Sequence, residues 1–409
     1  MKKAIINVKY SVKTWRFDMK KLLSVFLAAL MIASVFTGCV PAPEGNDTQE
    51  PEIVEPTPPP YTPNPWTGYE RAADFNTDMR ATAVMVNNIS AARPQRGLSQ
   101  ANVLYESKVE GGITRFMAIF EDYTKLEGDV GPVRSGRDQF LQWAMPYYAL
   151  YCHVGRSEIT QTYINTFDYN QYDVDGANKP FIYRRNRPGK AYEHTAYTNA
   201  ELLQEVIDKN EINMNKFYNE PIFDFVDYDL VPGGERELVG EPATEVSIVH
   251  SEAYRTYFTY DEASGKYLMS QYNGSKGIVE DTIDENNGVQ LSFENVMVLF
   301  SDISTYPYPG GNPKGDPNYQ NLFLDWGYKG YYFANGTMER IEWGKGGPPD
   351  PLYFTDRDGN PIEINCGKTY IAFVDDDEKE RFQWAAPGQE IEEEEVDMSQ
   401  VVEEEIGED

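Results

Sequence analysis

The side chains best suited to chemistry lie in residues 110–115 and 130–138. The anion-binding candidates among them are Arg115, Arg134, Ser135 and Arg137. Ser135 is predicted to cap a helix over residues 135–145, and Asp138 three positions later completes a capping-box-like pattern. A helix start offers unpaired backbone N–H groups and a partial positive charge, and guanidinium groups beside it suit a carboxylate or phosphate. The pattern therefore predicts an anion site at a helix N-terminus.

A structural role for the same arginines carries equal weight. The guanidinium groups could pair with Glu106, Glu110 or Asp138 and lock a loop onto the sheet. An arginine fork serves either purpose, and the chain is rich in acids. The sequence leaves ligand binding and internal pairing open.

Acid–base catalysis is the second chemical hypothesis. Its candidate residues are Glu110, Asp138, His153 and His194. Burial could move the pKa values of such groups toward neutrality, provided that they meet in one cleft. Ser135 lies in neither a Gly-x-Ser-x-Gly nor a Ser-x-x-Lys pattern, so a nucleophilic serine is disfavoured. His153 is expected to face a cleft if its neighbour Cys152 faces the core, because adjacent strand residues point to opposite sides.

Metal and cofactor motifs are weak throughout the chain. The three histidines have no paired metal-ligand spacing. Residues 356–360 resemble the start of a calcium loop, but the acidic residue required at its twelfth position is missing, so a hairpin turn is predicted. The glycine-rich residues 310–315 lack the spacing of a phosphate loop. We expect no metal site and no cofactor.

Cys39 closes an apolar run that begins after Lys20 and Lys21. A positive start, a short apolar stretch and small residues before the cysteine are typical of a lipoprotein signal peptide, predicted over residues 1–38. Phe36 stands where leucine is usual, and a secretory peptide or a buried helix is the alternative. The stretch Met19-Lys20-Lys21 also reads as a complete signal start, which would make residues 1–18 a misassigned beginning. Lipidation is therefore predicted at Cys39.

The net charge of the chain limits the kinds of partner that it can bind. The chain carries 66 acidic and 36 basic Lys or Arg residues, a formal net charge of −30. Such a chain is repelled by nucleic acid and by anionic lipid headgroups, so nucleic acid is excluded as a partner and membrane attachment must come from lipid. Residues 39–65 form the lipidated cysteine and an acidic, proline-rich linker, and residues 377–409 form an acidic tail predicted to be largely disordered.

Between these segments the pattern predicts an α/β (α+β) protein with two domains. Residues 66–228 alternate short strands with helices over 135–145, 158–167 and 199–209, as in a mixed sheet with helices. Residues 229–243 are a predicted linker. Residues 244–376 show short strands, among them 361–364 and 368–374, with Asn335-Gly336 as a hairpin turn, and predict mostly antiparallel sheet. Cys152 and Cys366 fall in different domains, which favours thiols over a disulfide.

Several motifs carry a family resemblance. They lie in residues 87–88, 92–101, 104–106, 110–116, 131–138 and 193–198, with looser matches at 295–296, 343–345 and 366–369. Across about residues 66–375 the chain resembles the YerB-like lipoproteins, a family of unknown function with separate N- and C-terminal domains. One departure is Tyr272 to Gly277, which lacks an expected histidine.

The resemblance implies a lipid-tethered protein on the extracytoplasmic face of the cell membrane, and no reaction. The leading hypothesis is a non-catalytic protein that binds a cell-wall component or a membrane-bound partner through the first domain. The alternative is an envelope hydrolase or transferase, and a third reading makes the motif residues purely structural. The ligand, the oligomeric state, the physiological process and enzymatic activity itself are not decided by the sequence.

Overall fold

A computed structural model describes residues 62–391 and residue 396, apart from 77, 217, 219–220, 308–317 and 325–327. The predicted signal peptide, Cys39 and nearly all of the predicted linker lie outside the described residues. The α-helices are α1 (Asp138–Ala144), α2 (Glu158–Thr166) and α3 (Ala200–Lys209). None of the helices in the described part of the chain is long and apolar enough to cross a bilayer.

The strands alternate with these helices only in the first half of the chain. In that half they are β1 (Thr82–Asn87), β2 (Val103–Lys108), β3 (Thr114–Phe120), β4 (Leu150–His153), β5 (Asp173–Asp175), β6 (Tyr183–Arg184) and β7 (Ala196–Tyr197). The next group is β8 (Glu241–Pro242), β9 (Glu245–Ser251), β10 (Tyr254–Asp261), β11 (Lys266–Asn273), β12 (Ile278–Asp281) and β13 (Ser292–Phe293). The remainder are β14 (Asn295–Ser301), β15 (Ile303–Thr305), β16 (Gln320–Leu322), β17 (Tyr328–Ala334), β18 (Thr337–Lys345), β19 (Leu352–Thr355), β20 (Thr369–Asp375) and β21 (Gln383–Ala385).

A large mixed sheet forms the middle layer, in the order β19-β18-β17-β14-β20-β2-β3-β1-β4-β5. Its strands β1, β4 and β5 run parallel, as do β14, β20 and β2. Both groups are antiparallel to β3, so they point the same way and share one carboxyl edge. The mixed α/β class is confirmed. The second half of the chain is mainly antiparallel, but β20 pairs in parallel with β14 and with β2.

The two faces of this sheet bury different partners. Alternate residues of β1 point to opposite sides: Ala83 and Met85 join the core under α1 and α2, and Val84 and Val86 join the core under α3 and a smaller sheet. The smaller sheet has the order β12-β11-β10-β9-β21. The molecule is therefore layered, with the large sheet in the middle.

The boundary between the predicted domains does not interrupt the large sheet. Strand β2 of the first half pairs with β20 of the second half from Val103↔Thr369 to Ser107↔Phe373. All of the described residues belong to one compact unit. Regular structure also continues beyond residue 377, where the predicted tail begins. Strand β21 lies in that segment and pairs with β9.

Local predictions from turn chemistry and alternation agree with most elements, with one clear exception. At the Asn335-Gly336 turn between β17 and β18, both residues have positive φ, 50° and 66°, as a tight hairpin requires. The predicted strand over residues 361–364 is wrong. The strand in that hairpin is β19 (Leu352–Thr355), which pairs with β18, and Pro361 makes only an isolated bridge to Thr355.

Candidate functional site

The carboxyl edge of the large sheet brings the predicted residues into one region. Strands β1, β2 and β4 end there at Asn87, Lys108 and His153, and β3 begins there. The segment before α1 crosses this edge: the Arg134 N–H donates to the Met85 carbonyl at 3.0 Å, and the Arg134 carbonyl accepts from the Val154 N–H at 3.1 Å. In open α/β sheets this edge is where ligands bind.

The predicted helix cap at Ser135 is wrong. Helix α1 begins at Asp138, its N-cap residue is Arg137, and no side chain caps it. Residues 133–136 are held extended by their backbone hydrogen bonds to β1 and to the chain after β4, so the helix begins only beyond them. With seven residues, α1 is also too short to form the predicted anion site at its N-terminus.

Arg115 and Arg137 are bound by a carboxylate of the protein itself. Glu110 Oε1 accepts from Arg115 Nη2 at 2.8 Å and also contacts Arg137 Nη2, and Glu110 Oε2 accepts from Arg137 Nε at 2.9 Å. Burial alone would raise the pKa of Glu110, but the two guanidinium groups lower it to about 2. The alternative of internal pairing therefore describes these two arginines. It also leaves Glu110 a poor proton donor or acceptor near neutral pH.

Glu106, another acceptor considered for the arginines, is fully buried and joins the two halves instead. Its Oε1 accepts from Asn88 at 2.9 Å and from Thr114 at 2.7 Å, and its Oε2 accepts from Thr256 at 2.9 Å and from the Tyr370 hydroxyl. A buried carboxylate is stable only when it is bonded in this way. Glu106 is therefore a structural link between the first and second halves.

Arg134 differs from the other two predicted arginines. Its guanidinium forms no hydrogen bond or ion pair with any residue that the structure describes, and its Nε is closed to solvent. The charge of Arg134 reaches His194, whose Nδ1 lies 3.2 Å from Asn87 Nδ2. Burial, and to a lesser extent Arg134, lowers the pKa of His194. Arg134 is thus a cation without a counter-charge at the carboxyl edge.

His153 lies inside the protein and does not line a cleft. It is fully buried, with Nε2 at 2.8 Å from Asp173 Oδ1 and Nδ1 at 2.8 Å from the Gly155 carbonyl. Both ring nitrogens are therefore engaged by partners inside the protein. Cys152 faces the opposite core, as predicted, but the expected cleft at His153 is absent because Tyr151 and Gly136 close over the ring.

Asp138 is a buried carboxylate with only one of its two oxygens hydrogen-bonded to a described residue. Its Oδ2 accepts from the Tyr306 hydroxyl at 2.7 Å, and its Oδ1 has no hydrogen-bond partner among the described residues. Burial raises the pKa of Asp138 to about 6. Within the described ranges, no hydrogen bond or ion pair joins any two of the four proposed catalytic residues, Glu110, Asp138, His153 and His194.

Three further cations at this end of the molecule were not among the predicted site residues. Arg93 donates to the carbonyls of Asn88 and Tyr272, and Arg187 donates to those of Ala92 and His194. Lys190 donates to the Arg93 carbonyl at 3.1 Å. In the described part of the chain none of the three cations pairs with a carboxylate. The sequence signal is the run from Arg184 to Lys190, which holds four bases and no acid.

The described residues hold no group of three or more His, Cys, Asp or Glu side chains that could bind a metal ion. Cys152 and Cys366 are both buried and keep their thiol groups. Burial raises the pKa of the Cys152 thiol, so this side chain is a packing residue with little thiolate character.

Comparison with known proteins identifies the family. Residues 66–213 match the model described as "Protein of unknown function (DUF3048) N-terminal domain", and residues 245–371 match the model of the corresponding C-terminal domain. The chain belongs to the DUF3048 family. The two matches end and begin on either side of the predicted linker at residues 229–243. The family description assigns no function.

The relatives of this DUF3048 protein include a Bacillus subtilis (strain 168) protein named "Putative lipoprotein YerB". It is 27% identical over 304 residues, which are 73% of this chain and 82% of the relative. The crystal structure of the YerB protein from Bacillus subtilis matches with a TM-score of 0.63 at 22% identity, over 79% of this chain and 99% of that chain. The YerB-like resemblance in the sequence motifs is confirmed, and the structural match shows a shared fold.

Proposed function

We propose that this protein is anchored by lipid to the extracytoplasmic face of the cell membrane and binds an anionic component of the cell envelope at the carboxyl edge of its large sheet. The observation that carries the proposal is Arg134, a guanidinium with no partner among the described residues, at the edge where α/β sheets bind ligands.

The anchor is supported by Cys39 and by the homologous relative named as a lipoprotein. A small residue, Gly38, precedes the cysteine, and the apolar run before it is shorter than the roughly 20 residues that a membrane helix needs. A chain with a net charge of −30 gains no attraction from anionic headgroups, so attachment depends on lipid.

The choice of an anionic ligand follows from local charge. His194 with its depressed pKa is mainly neutral near pH 7, and its ring adds a hydrogen-bonding group beside Arg134 without cancelling the positive charge. Arg187 and Lys190 add positive charge within electrostatic range of the same histidine, and one carboxylate, Glu193, lies 4.0 Å from its Nε2. A guanidinium fork binds phosphate and carboxylate oxygens in two parallel hydrogen bonds. Phosphate-bearing wall polymers and carboxylate-bearing wall glycans share this chemistry.

The test is sedimentation of the full chain, purified in detergent, with isolated Gram-positive cell walls. Arg134→Gln should weaken binding by about 10- to 100-fold, because a hydrogen bond to a charged group contributes about 1.5–3 kcal/mol. Arg357→Gln, which removes an equal charge from an exposed turn, is the matched control and should bind like the wild type.

Walls stripped of their phosphate-bearing polymers separate the two sources of anion. Loss of binding to stripped walls assigns the ligand to the phosphate polymer, and retained binding assigns it to the glycan. Equal binding by wild type and Arg134→Gln, with both proteins folded, would refute the site. Membrane attachment has its own test in the Cys39→Ser variant described in the Discussion.

A further inference from the structure

A cleft of about 460 Å³ lies between the turn at residues 90–95 and the strands β11 and β12. Its walls come from both halves of the chain: Arg93, Gln95 and Lys190 lie on one side, and Gln271, Asn273 and Thr282 lie on the other. Three charged side chains, Lys276, Glu280 and Asp281, also line it. This volume is in the range of small-molecule sites, about 300–1,000 Å³. None of the residues proposed for catalysis lines the cleft.

The first wall carries two cations, Arg93 and Lys190, that form no ion pair with a carboxylate of the described residues. Glu280 and Asp281 also line the cleft, and Glu280 pairs there with Lys276. Arg93 uses Nε and Nη2 on the Asn88 carbonyl and Nη1 on the Tyr272 carbonyl. Lys190 uses one donor on the Arg93 carbonyl and keeps two. Burial, followed by the nearby charges of Arg187 and Lys276, lowers the pKa of Lys190. An anion in the cleft would relieve this crowding of cations.

The second wall carries acceptors that lack donors. Gln271, Asn273 and Thr282 are only 2%, 6% and 6% exposed, respectively. Gln271 Oε1, Asn273 Oδ1 and Thr282 Oγ1 are closed to solvent and have no hydrogen-bond partner among the described residues. An oxygen left in this state costs free energy, and a bound group with several O–H or N–H donors would recover it.

We propose that this cleft is a binding site for an acidic sugar, with the carboxylate of the sugar at Lys190 and Arg93 and its ring hydroxyls at Gln271, Asn273 and Thr282. A simple anion would satisfy the cations alone, and a neutral sugar would satisfy the oxygens alone. A sugar acid meets both walls. Its hydroxyls can donate to the three oxygens of the second wall. The inference goes beyond the proposed function, because its ligand is a small sugar acid and its site includes neither Arg134 nor His194. Lys190 is the side chain that both proposals use.

The experiment is isothermal titration of the full chain in detergent with glucuronate, and with glucose and acetate as partial ligands. Glucuronate should bind more tightly than either partial ligand. Lys190→Ala should weaken glucuronate binding about tenfold or more through loss of a charged hydrogen bond. Thr282→Val should weaken it roughly two- to tenfold through loss of one neutral hydrogen bond.

Thr82→Val is the matched control, since Thr82 also has a buried hydroxyl without a hydrogen-bond partner but lies on β1 and does not line the cleft. It should bind glucuronate like the wild type. Both threonine variants should stay folded, because neither hydroxyl makes a hydrogen bond that the valine would break. They therefore keep the test informative even if Lys190→Ala does not fold.

Four results would overturn the proposal. They are no binding of glucuronate by the wild type, equal binding of acetate and glucuronate, unchanged binding by folded Thr282→Val and Lys190→Ala, and binding of an acetylated dipeptide acid in place of glucuronate. Arg134→Gln should leave glucuronate affinity unchanged within about twofold, since Arg134 does not line the cleft. Failure here is thus distinguishable from failure of wall binding through Arg134.

Discussion

Replacement of Glu110 by glutamine tests the electrostatic lock between Arg115 and Arg137. The carboxylate of Glu110 is 12% exposed, and the guanidinium groups are 3% and 8% exposed, so solvent screens the interaction weakly. The pKa of Glu110 falls from 4.5 to about 2 on folding. That difference corresponds to on the order of 3 kcal/mol of stability, within the range for breaking a buried ion pair.

The sign of the pH dependence follows from the direction of the shift. A carboxyl group with a lowered pKa in the folded state contributes its full stability above pH 4.5 and loses it as the pH falls toward about 2. Glu110→Gln should therefore be less stable than wild type by on the order of 3 kcal/mol at neutral pH. The difference between the two proteins should shrink steadily below about pH 4.5.

Urea unfolding of both proteins, at neutral pH and in steps down to about pH 3, measures this difference. Glu262→Gln, at an exposed position in the turn after β10, controls for loss of a negative charge and should match the wild type. A deficit that stays constant over the whole pH range would refute an electrostatic lock. So would a Glu110→Gln protein as stable as wild type at neutral pH.

Three further perturbations probe other links. Cys39→Ser should release the full chain from membranes in cell fractionation, and a variant that remains fully membrane-bound would contradict the lipid anchor. In the wild type, the raised pKa of Asp138 should lower the free energy of unfolding by on the order of 1–3 kcal/mol as the pH rises from 3.8 to about 6. Asp138→Asn should remove this loss, and an unchanged pH profile in urea titrations would contradict it. Trp143→Ala, which removes the ring stacked between Tyr105 and Phe373, should cost about 3–5 kcal/mol in urea unfolding, and a loss below about 1 kcal/mol would show that this stack does not join the halves.

Local patterns predict elements well in this chain, since each strand needs only its own alternation and turn residues. The strand predicted over residues 368–374 forms over Thr369–Asp375, and the Asn335-Gly336 hairpin turn forms with the positive φ angles that it requires. Local patterns do not determine which strands pair with each other. The pairing of β2 with β20 joins residues more than 250 positions apart, and no local signal specifies it.

The sequence groups the candidate residues but specifies neither their place on the sheet nor their contacts. The motif at residues 131–138 lies at the carboxyl edge, where a helix start was predicted. Ser135 fails as a cap because the backbone around Arg134 bonds to Met85 and Val154, which are distant in sequence. Glu110 lies in the turn between β2 and β3 and reaches Arg115, whereas Glu106 lies within β2 and bonds to Thr256 of the second half. These contacts follow only from the assembled fold.

The unpaired cations are the most informative feature because of the composition around them. With 66 acids to 36 Lys and Arg residues, a basic side chain in this protein has many carboxylates available to it. Arg115 and Arg137 show the usual outcome, an ion pair with Glu110. Arg134, Arg93 and Lys190 instead have carbonyl partners or none among the described residues, and they lie together at one end of the sheet. A negative ligand that supplies the missing partner, either a wall polymer at Arg134 or a sugar acid in the cleft, is the occupant that we propose for these cations.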